Sequence, residues 1–224
     1  MAPFAYDDFP HPVRPDLSEA HRGVWAWLAQ PGCWWTAAEK VAIARELRDA
    51  RARRGDPPRL RRDAPHSAGE LPPAAVAAVR RIALEAHRLD RDWCADVVER
   101  LGDAPYVELV AVAVCTTAID AFAEALGVAL EPLPEPLAGE PSRERPENVG
   151  DGDAWVPMAV PWRGANVGRA LSLVPPANAA FFSLVGPMYA GGDFTKLVWE
   201  GRPLSRPQVE LIAARVSAVN ECFY

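Results

Sequence analysis

The sequence predicts an all-α protein. Three observations carry that prediction: apolar residues recur at helical spacing through most of the chain, helix-start signals precede several of those stretches, and alternating strand patterns are scarce. The chain has 224 residues, half of them hydrophobic and 24% charged, which is the balance of a folded globular protein and not of a disordered one. A formal charge of −6 argues against a dedicated nucleic-acid binder, whose basic footprint should dominate. Residues 1–15 carry Asp7, Asp8 and several prolines where an export signal would need an apolar stretch. The most apolar run, 109–119, is bounded by Glu108 and Asp120 and reads as a buried helix, too short to span a bilayer. The expected setting is cytoplasmic, with no membrane and no nucleic acid as partners.

The elements follow in order. Residues 1–16, rich in proline and aromatics, should wrap the surface. Ser18 is positioned to cap a helix that carries Val24, Trp25 and Leu28 and stops at Pro31-Gly32. Thr36 and Glu39 make a capping box for a second helix, with Val41, Ile43 and Leu47 on one face and a basic end at Arg51, Arg53 and Arg54. The stretch 55–70 reads as a loop. Leu71-Pro72-Pro73 opens a third helix with Val76, Val79, Ile82 and Leu84, and a shorter amphipathic stretch holds Trp93, Val97, Val98 and Leu101. Asp103 is expected to cap a long helix that has Pro105 in its first turn and ends at Gly127.

Prolines recur through 130–162, which excludes a long helix or a central strand and suggests a linker. Beyond it, 167–174 and 179–189 read as helices, Gly191-Gly192 as a break, and Ser205 as the cap of a final helix. The organisation expected is an N-terminal helical region over 1–129, a linker over 130–162 and a C-terminal helical region over 163–224.

Two of these helices share their wording. Residues 103–111 (DAPYVELVA) lie over 205–213 (SRPQVELIA) at an offset of 102, and Val114 then falls on Val216 and Asp120 on Cys222. Each copy has a cap, a first-turn proline and Val-Glu leading into an apolar run. The expectation is an internal duplication in which the first copy has Asp120 where the second has the thiol of Cys222.

Cys33, Cys94, Cys115 and Cys222 are scattered, with neither a disulfide framework nor a Cys-x-x-Cys pair. The first three read as core thiols. His11, His21, His66 and His87 have no metal-ligand spacing. Glu210 and Cys222 have eleven residues between them, and on their own they read as a helix-stabilising acid and a core thiol. A thiol attacks peroxide as thiolate, so it needs a lowered pKa and a nearby proton acceptor. On one continuous helix the two would stand about 18 Å apart along the axis. Any relay between them would need a break near Asn220, a residue tolerant of left-handed geometry, which the sequence permits.

The segment from Val209-Glu210-Leu211 to Asn220-Glu221-Cys222-Phe223-Tyr224 resembles the redox motif of the alkylhydroperoxidase AhpD-like, carboxymuconolactone decarboxylase superfamily. The pattern there is Glu, eleven residues, Cys-x-x-Cys, three residues, His. Trp35-Thr36-Ala37-Ala38-Glu39, Tyr106-Val107-Glu108-Leu109-Val110 and Gly139-Glu140-Pro141-Ser142-Arg143 resemble the longer, duplicated members. The sequence stops at Tyr224, where the family's second cysteine would come next, and reads as ending inside the motif. The resemblance implies two pseudo-repeated helical bundles and a homo-oligomer. It further implies a thiol-dependent peroxidase with Cys222 and Glu210 as catalytic residues, an organic hydroperoxide as substrate, and a lipoyl or thioredoxin-like dithiol as electron donor. No metal and no organic cofactor are implied. The alternatives are a decarboxylase-like activity without thiol chemistry, or a catalytically silent helical assembly module.

Overall fold

A computed structural model of the chain describes residues 3–53, 71–151, 154–189 and 203–221. Among them the fold is mostly helical: α1 (Pro15–Ala29), α2 (Ala37–Arg53), α3 (Pro73–Glu85), α4 (Arg91–Leu101), α5 (Asp103–Leu126), α6 (Pro175–Met188) and α7 (Arg206–Val219). The loop expected over 55–70 and the break at Gly191-Gly192 lie outside the described residues.

Helix α5 is the axis of the bundle. It packs against α1, α2, α3, α4 and α6. Leu109, Val112 and Ala113 meet Ile43, Leu47, Ala78 and Val79 in the largest core, and Val97 of α4 closes that core. Another side of α5 (Ala104, Val107, Ala111) meets Leu171, Leu173, Val174 and Ala177, so the start of α6 shares its packing. Farther along α5, Cys115 and Ile119 meet Val24, Trp25, Leu184 and Phe4. The buried helix expected over 109–119 is therefore present. Helix α5 is also long and apolar enough to cross a bilayer, yet half of that apolar window is buried inside the bundle.

The helix ends follow local chemistry. Thr36 N–H donates to Glu39 Oε2 (2.8 Å) and Glu39 N–H donates to Thr36 Oγ1 (3.2 Å), the expected capping box. Ser205 and Gln208 make a second box at α7. Gly127, with φ of 70°, ends α5 in left-handed geometry that a side chain would strain.

Three expected boundaries are corrected. Helix α1 begins at Pro15, whose missing N–H costs nothing in the first turn, so Ser18 is a buried helical residue and not a cap. Gly102 is the N-cap of α5, and Asp103 lies inside its first turn, held by Arg145 through two 2.7 Å bonds. The helix expected over 167–174 is a 3-10 turn (Asn166–Arg169) running into irregular chain, and α6 starts at Pro175.

Among its described residues the proline-rich stretch has no helix. Its backbone is used instead to cover the end of α1 and the α1–α2 loop: Leu137 N–H donates to Ala29 O, Ser142 N–H to Gly32 O and Arg143 N–H to Cys33 O. Trp25 Nε1 donates to Pro132 O at 2.8 Å. Two residues of antiparallel strand, β1 (Val149–Gly150) with β2 (Met158–Ala159), close its far end.

Candidate functional site

Helix α7 carries the sequence-predicted site. Its first-turn proline and capping box start it, and none of its residues is buried. The Glu210 side chain is half exposed and accepts from Arg206 Nε at 3.3 Å, one turn earlier on the same helix. The helix stops at Val219: Asn220 N–H donates to Val216 O (3.0 Å) and Glu221 N–H to Ala218 O (3.3 Å). The helix therefore ends near Asn220, where a break would have to fall, but Asn220 keeps φ at −85°, and it is Glu221 that turns left-handed, with φ of 53°. Cys222 lies outside the described residues. At this end of α7 the Glu221 carboxylate lies 3.9 Å from His87 Nε2.

The corresponding positions of α5 behave otherwise. Glu108 is buried and accepts three backbone N–H bonds, from Cys33 (3.0 Å), Trp34 (2.7 Å) and Trp35 (3.3 Å). Burial pushes its pKa up, while those three donors and Lys40 pull it down. A Cβ on Gly32 would fall 1.9 Å from Glu108 Oε1, so only glycine lets the loop close over the carboxylate. Asp120 is buried against Arg48, in bonds of 3.0 Å (Nε to Oδ2) and 2.7 Å (Nη2 to Oδ1). Because α5 is one unbroken helix, Glu108 and Asp120 stand about 18 Å apart along its axis. That is too far for a proton relay.

Lys40 completes the buried polar centre. Its Nζ donates to Trp27 O (2.6 Å) and Gln30 O (3.2 Å) and sits 3.8 Å from the centre of a Trp27 ring. Burial pushes it down to about 8, with Glu108 opposing. The sequence reading treated α2 as one apolar face and missed Lys40 and Arg48. A signal was there: 40, 44 and 48 share one helix stripe with buried Ala44.

The described thiols are poor nucleophiles. Cys33, Cys94 and Cys115 are buried and free, and burial pushes their pKa values up, that of Cys115 to about 12. His21 is buried beside the Tyr6 hydroxyl, and burial pushes it down to about 4. His66 lies outside the described residues. Among the described residues no three His, Cys, Asp or Glu side chains gather as a metal-binding group. A cavity of about 190 Å³ is lined by Phe4, Tyr6, Ile119, Ala123 and Glu131, away from α7.

Comparison of the chain with protein-family models, with curated proteins and with solved structures returns no match.

Proposed function

We propose that the chain is a thiol-dependent oxidoreductase that reduces organic hydroperoxides through Cys222. One observation supports the reading most: the helix bearing Glu210 ends in a turn whose left-handed Glu221 immediately precedes the cysteine. A left-handed residue ends the α-helical path, so α7 does not continue through Glu221. The three buried thiols do not compete, because their raised pKa values keep them protonated near neutrality.

In this reading the Cys222 thiolate attacks the terminal oxygen of R–O–OH. The O–O bond breaks, sulfur becomes a sulfenic acid, and the leaving alkoxide takes a proton relayed by Glu210. A lipoyl or thioredoxin-like dithiol then condenses with the sulfenic acid, releasing water, and its second thiol displaces Cys222 as thiolate. Helices α5 and α7 are, in the same reading, two copies of one AhpD-like unit, of which the first has become a core helix. The setting is cytoplasmic.

The test is peroxide consumption by the full chain with a dithiol reductant. Cys222→Ser should reduce the rate to background, and a rate equal to that of the unmodified chain overturns the proposal. Activity that survives thiol alkylation would instead favour decarboxylase-type chemistry.

A second reading, a catalytically silent helical assembly module, is favoured by the apolar residues α7 leaves exposed: Leu211, Ile212, Val216 and Val219. Both readings expect self-association. Light scattering that finds only a 24.4 kDa species at micromolar concentration removes that part.

A further inference from the structure

The cavity of about 190 Å³ between the N-terminal segment and the end of α5 has polar walls of one sign. Tyr6, Asp7, Asp8, Asp120 and Glu131 line it, and among the described residues no basic side chain does. Phe4, Ile119, Ala123 and Val128 supply apolar surface. Asp120 is already neutralised by Arg48 from α2. Glu131 is not. It is half-buried, accepts a hydrogen bond from Phe4 N–H at 3.1 Å, and has no ion pair among the described residues. Asp7 and Asp8 are exposed and mark the solvent side of the cavity.

The wall contributed by the N-terminal segment is held in place. The Phe4 ring packs edge-on against Trp25 with centroids 5.1 Å apart, and the Tyr6 ring against Phe122 at 5.4 Å. The Tyr6 hydroxyl is hydrogen-bonded to His21 Nδ1. Burial holds His21 at about 4, so the imidazole is neutral near neutrality and adds no positive charge behind the wall. The phenol oxygen keeps acceptor capacity in either tautomer of that ring. Arg22 acts on Tyr6 from outside the lining, where it donates to Pro3 O at 3.2 Å. Phe4 and Tyr6 both keep left-handed backbones, with φ of 56° and 55°, which bulky residues hold only where surrounding contacts enforce them.

A preformed apolar cavity with an unneutralised carboxylate complements a hydrogen-bond-donating cation that carries an apolar body. A bare metal ion is a poor fit, because among the described residues no three His, Cys, Asp or Glu side chains gather as a metal-binding group. Size narrows the choice further. A cavity of about 150 Å³ takes a benzene-sized molecule, so this one has room for a ring and about two more heavy atoms. We propose that the cavity binds a primary arylalkylammonium ion, with the Glu131 carboxylate and the Tyr6 phenol oxygen receiving the ammonium while Phe4, Ile119, Ala123 and Val128 cover the ring. The site does not involve Cys222, so peroxide turnover neither supports nor removes it.

The experiment is calorimetric titration of the full chain near neutral pH with benzylammonium, and with benzyl alcohol as a neutral molecule of the same shape. Benzylammonium should bind at one site, about tenfold more tightly than benzyl alcohol, because a charge-assisted hydrogen bond is the stronger kind. Glu131→Gln keeps an acceptor for Phe4 N–H and removes the charge. It should weaken benzylammonium about tenfold and leave benzyl alcohol unchanged, which a merely structural role for Glu131 would not do. Val128→Phe should weaken both by filling the cavity, and high salt should weaken benzylammonium alone. Circular dichroism checks that the variants fold; should Val128→Phe unfold, the Glu131→Gln comparison decides. No saturable binding at millimolar benzylammonium overturns the proposal, as do equal affinities for the two probes or equal weakening of both by Glu131→Gln. Full affinity in folded Val128→Phe places the binding elsewhere and overturns it too. Displacement of benzylammonium by an equal concentration of calcium overturns the organic cation in favour of a metal.

Discussion

Helices α5 and α7 begin with nearly the same words and end in opposite environments. Each has proline in its first turn and Val-Glu-Leu after it. Glu108 is buried under three backbone donors, whereas Glu210 is half exposed and paired within its own helix. Twelve residues on, Asp120 is locked to Arg48, whereas the chain has already turned at Glu221. The difference teaches what a helix-start signature specifies. It fixes where the first turn forms, because cap and proline act within a few residues. It does not fix burial, which for α5 comes from five other helices and for α7 is absent.

The largest test of that contrast is the buried pair at the far end of α5. Arg48 and Asp120 side chains are each 1% exposed, so removing one leaves a charge with no water to solvate it. Asp120→Ala should cost about 3–5 kcal/mol in urea unfolding followed by circular dichroism. The double replacement Arg48→Met with Asp120→Leu should recover most of that loss, because apolar side chains of similar volume avoid desolvating two ions. If Asp120→Ala unfolds at the same urea concentration as the unmodified chain, the pair is not what fixes this end of α5.

Next in size is the glutamate contrast itself. Glu108→Ala strands three loop N–H groups and removes the carboxylate facing Lys40; unsatisfied buried donors of this kind lead us to expect a loss of about 2–4 kcal/mol. Glu210→Ala should leave the unfolding midpoint unchanged, because an exposed pair one helical turn apart contributes little. Equal effects at the two positions would mean that the environments differ less than the hydrogen bonds imply.

How much of this was legible in the sequence depends on range. The box of Thr36 with Glu39, the cap at Ser205 and the stop at Gly127 are decided by neighbours three or four residues away, and all were readable. Ser18 and Asp103 were misread because proline at Pro15 and glycine at Gly102 start those helices earlier than the polar residue suggests. Nothing local marked Glu108 for burial, since its donors lie in the loop 33–35, more than seventy residues away. Lys40 and Arg48 were missed for the same reason: the groups they meet, Trp27, Gln30 and Asp120, lie outside α2. At the candidate site the sequence permitted the helix end near Asn220, and only the resemblance implied it. That Glu221 takes the left-handed turn, and that His87 meets it, were not legible, because both depend on the chain around them.

Lys40 gives a pH test of the buried side. Burial holds it near 8 in the folded chain, below the value of about 10.4 for an exposed lysine. Between those two values the unfolded chain binds more protons than the folded one, so stability rises with pH. Moving from about pH 7.5 to about pH 9.5 should add about 2 kcal/mol to the Lys40 contribution. Lys40→Met should flatten that slope, and the difference between the two chains in urea unfolding reads it directly. A slope of the opposite sign, or the same slope in Lys40→Met, would place the titration elsewhere.

The smallest effect separates the two capping boxes. Thr36→Ala removes a side chain that accepts from Glu39 N–H at the start of α2, and α2 contributes Val41, Ile43, Ala44 and Leu47 to the main core. The loss of about 1 kcal/mol expected for such a cap should therefore appear in global unfolding. Ser205→Ala removes the equivalent group from α7, which buries none of its residues. Fraying there is not coupled to the core, so the global midpoint should not move. Amide hydrogen exchange should instead quicken in the first turn of α7 alone, by about fivefold for the same 1 kcal/mol. A global shift on Ser205→Ala would show that α7 is packed against something in solution, and that its exposed Leu211, Ile212, Val216 and Val219 are covered there.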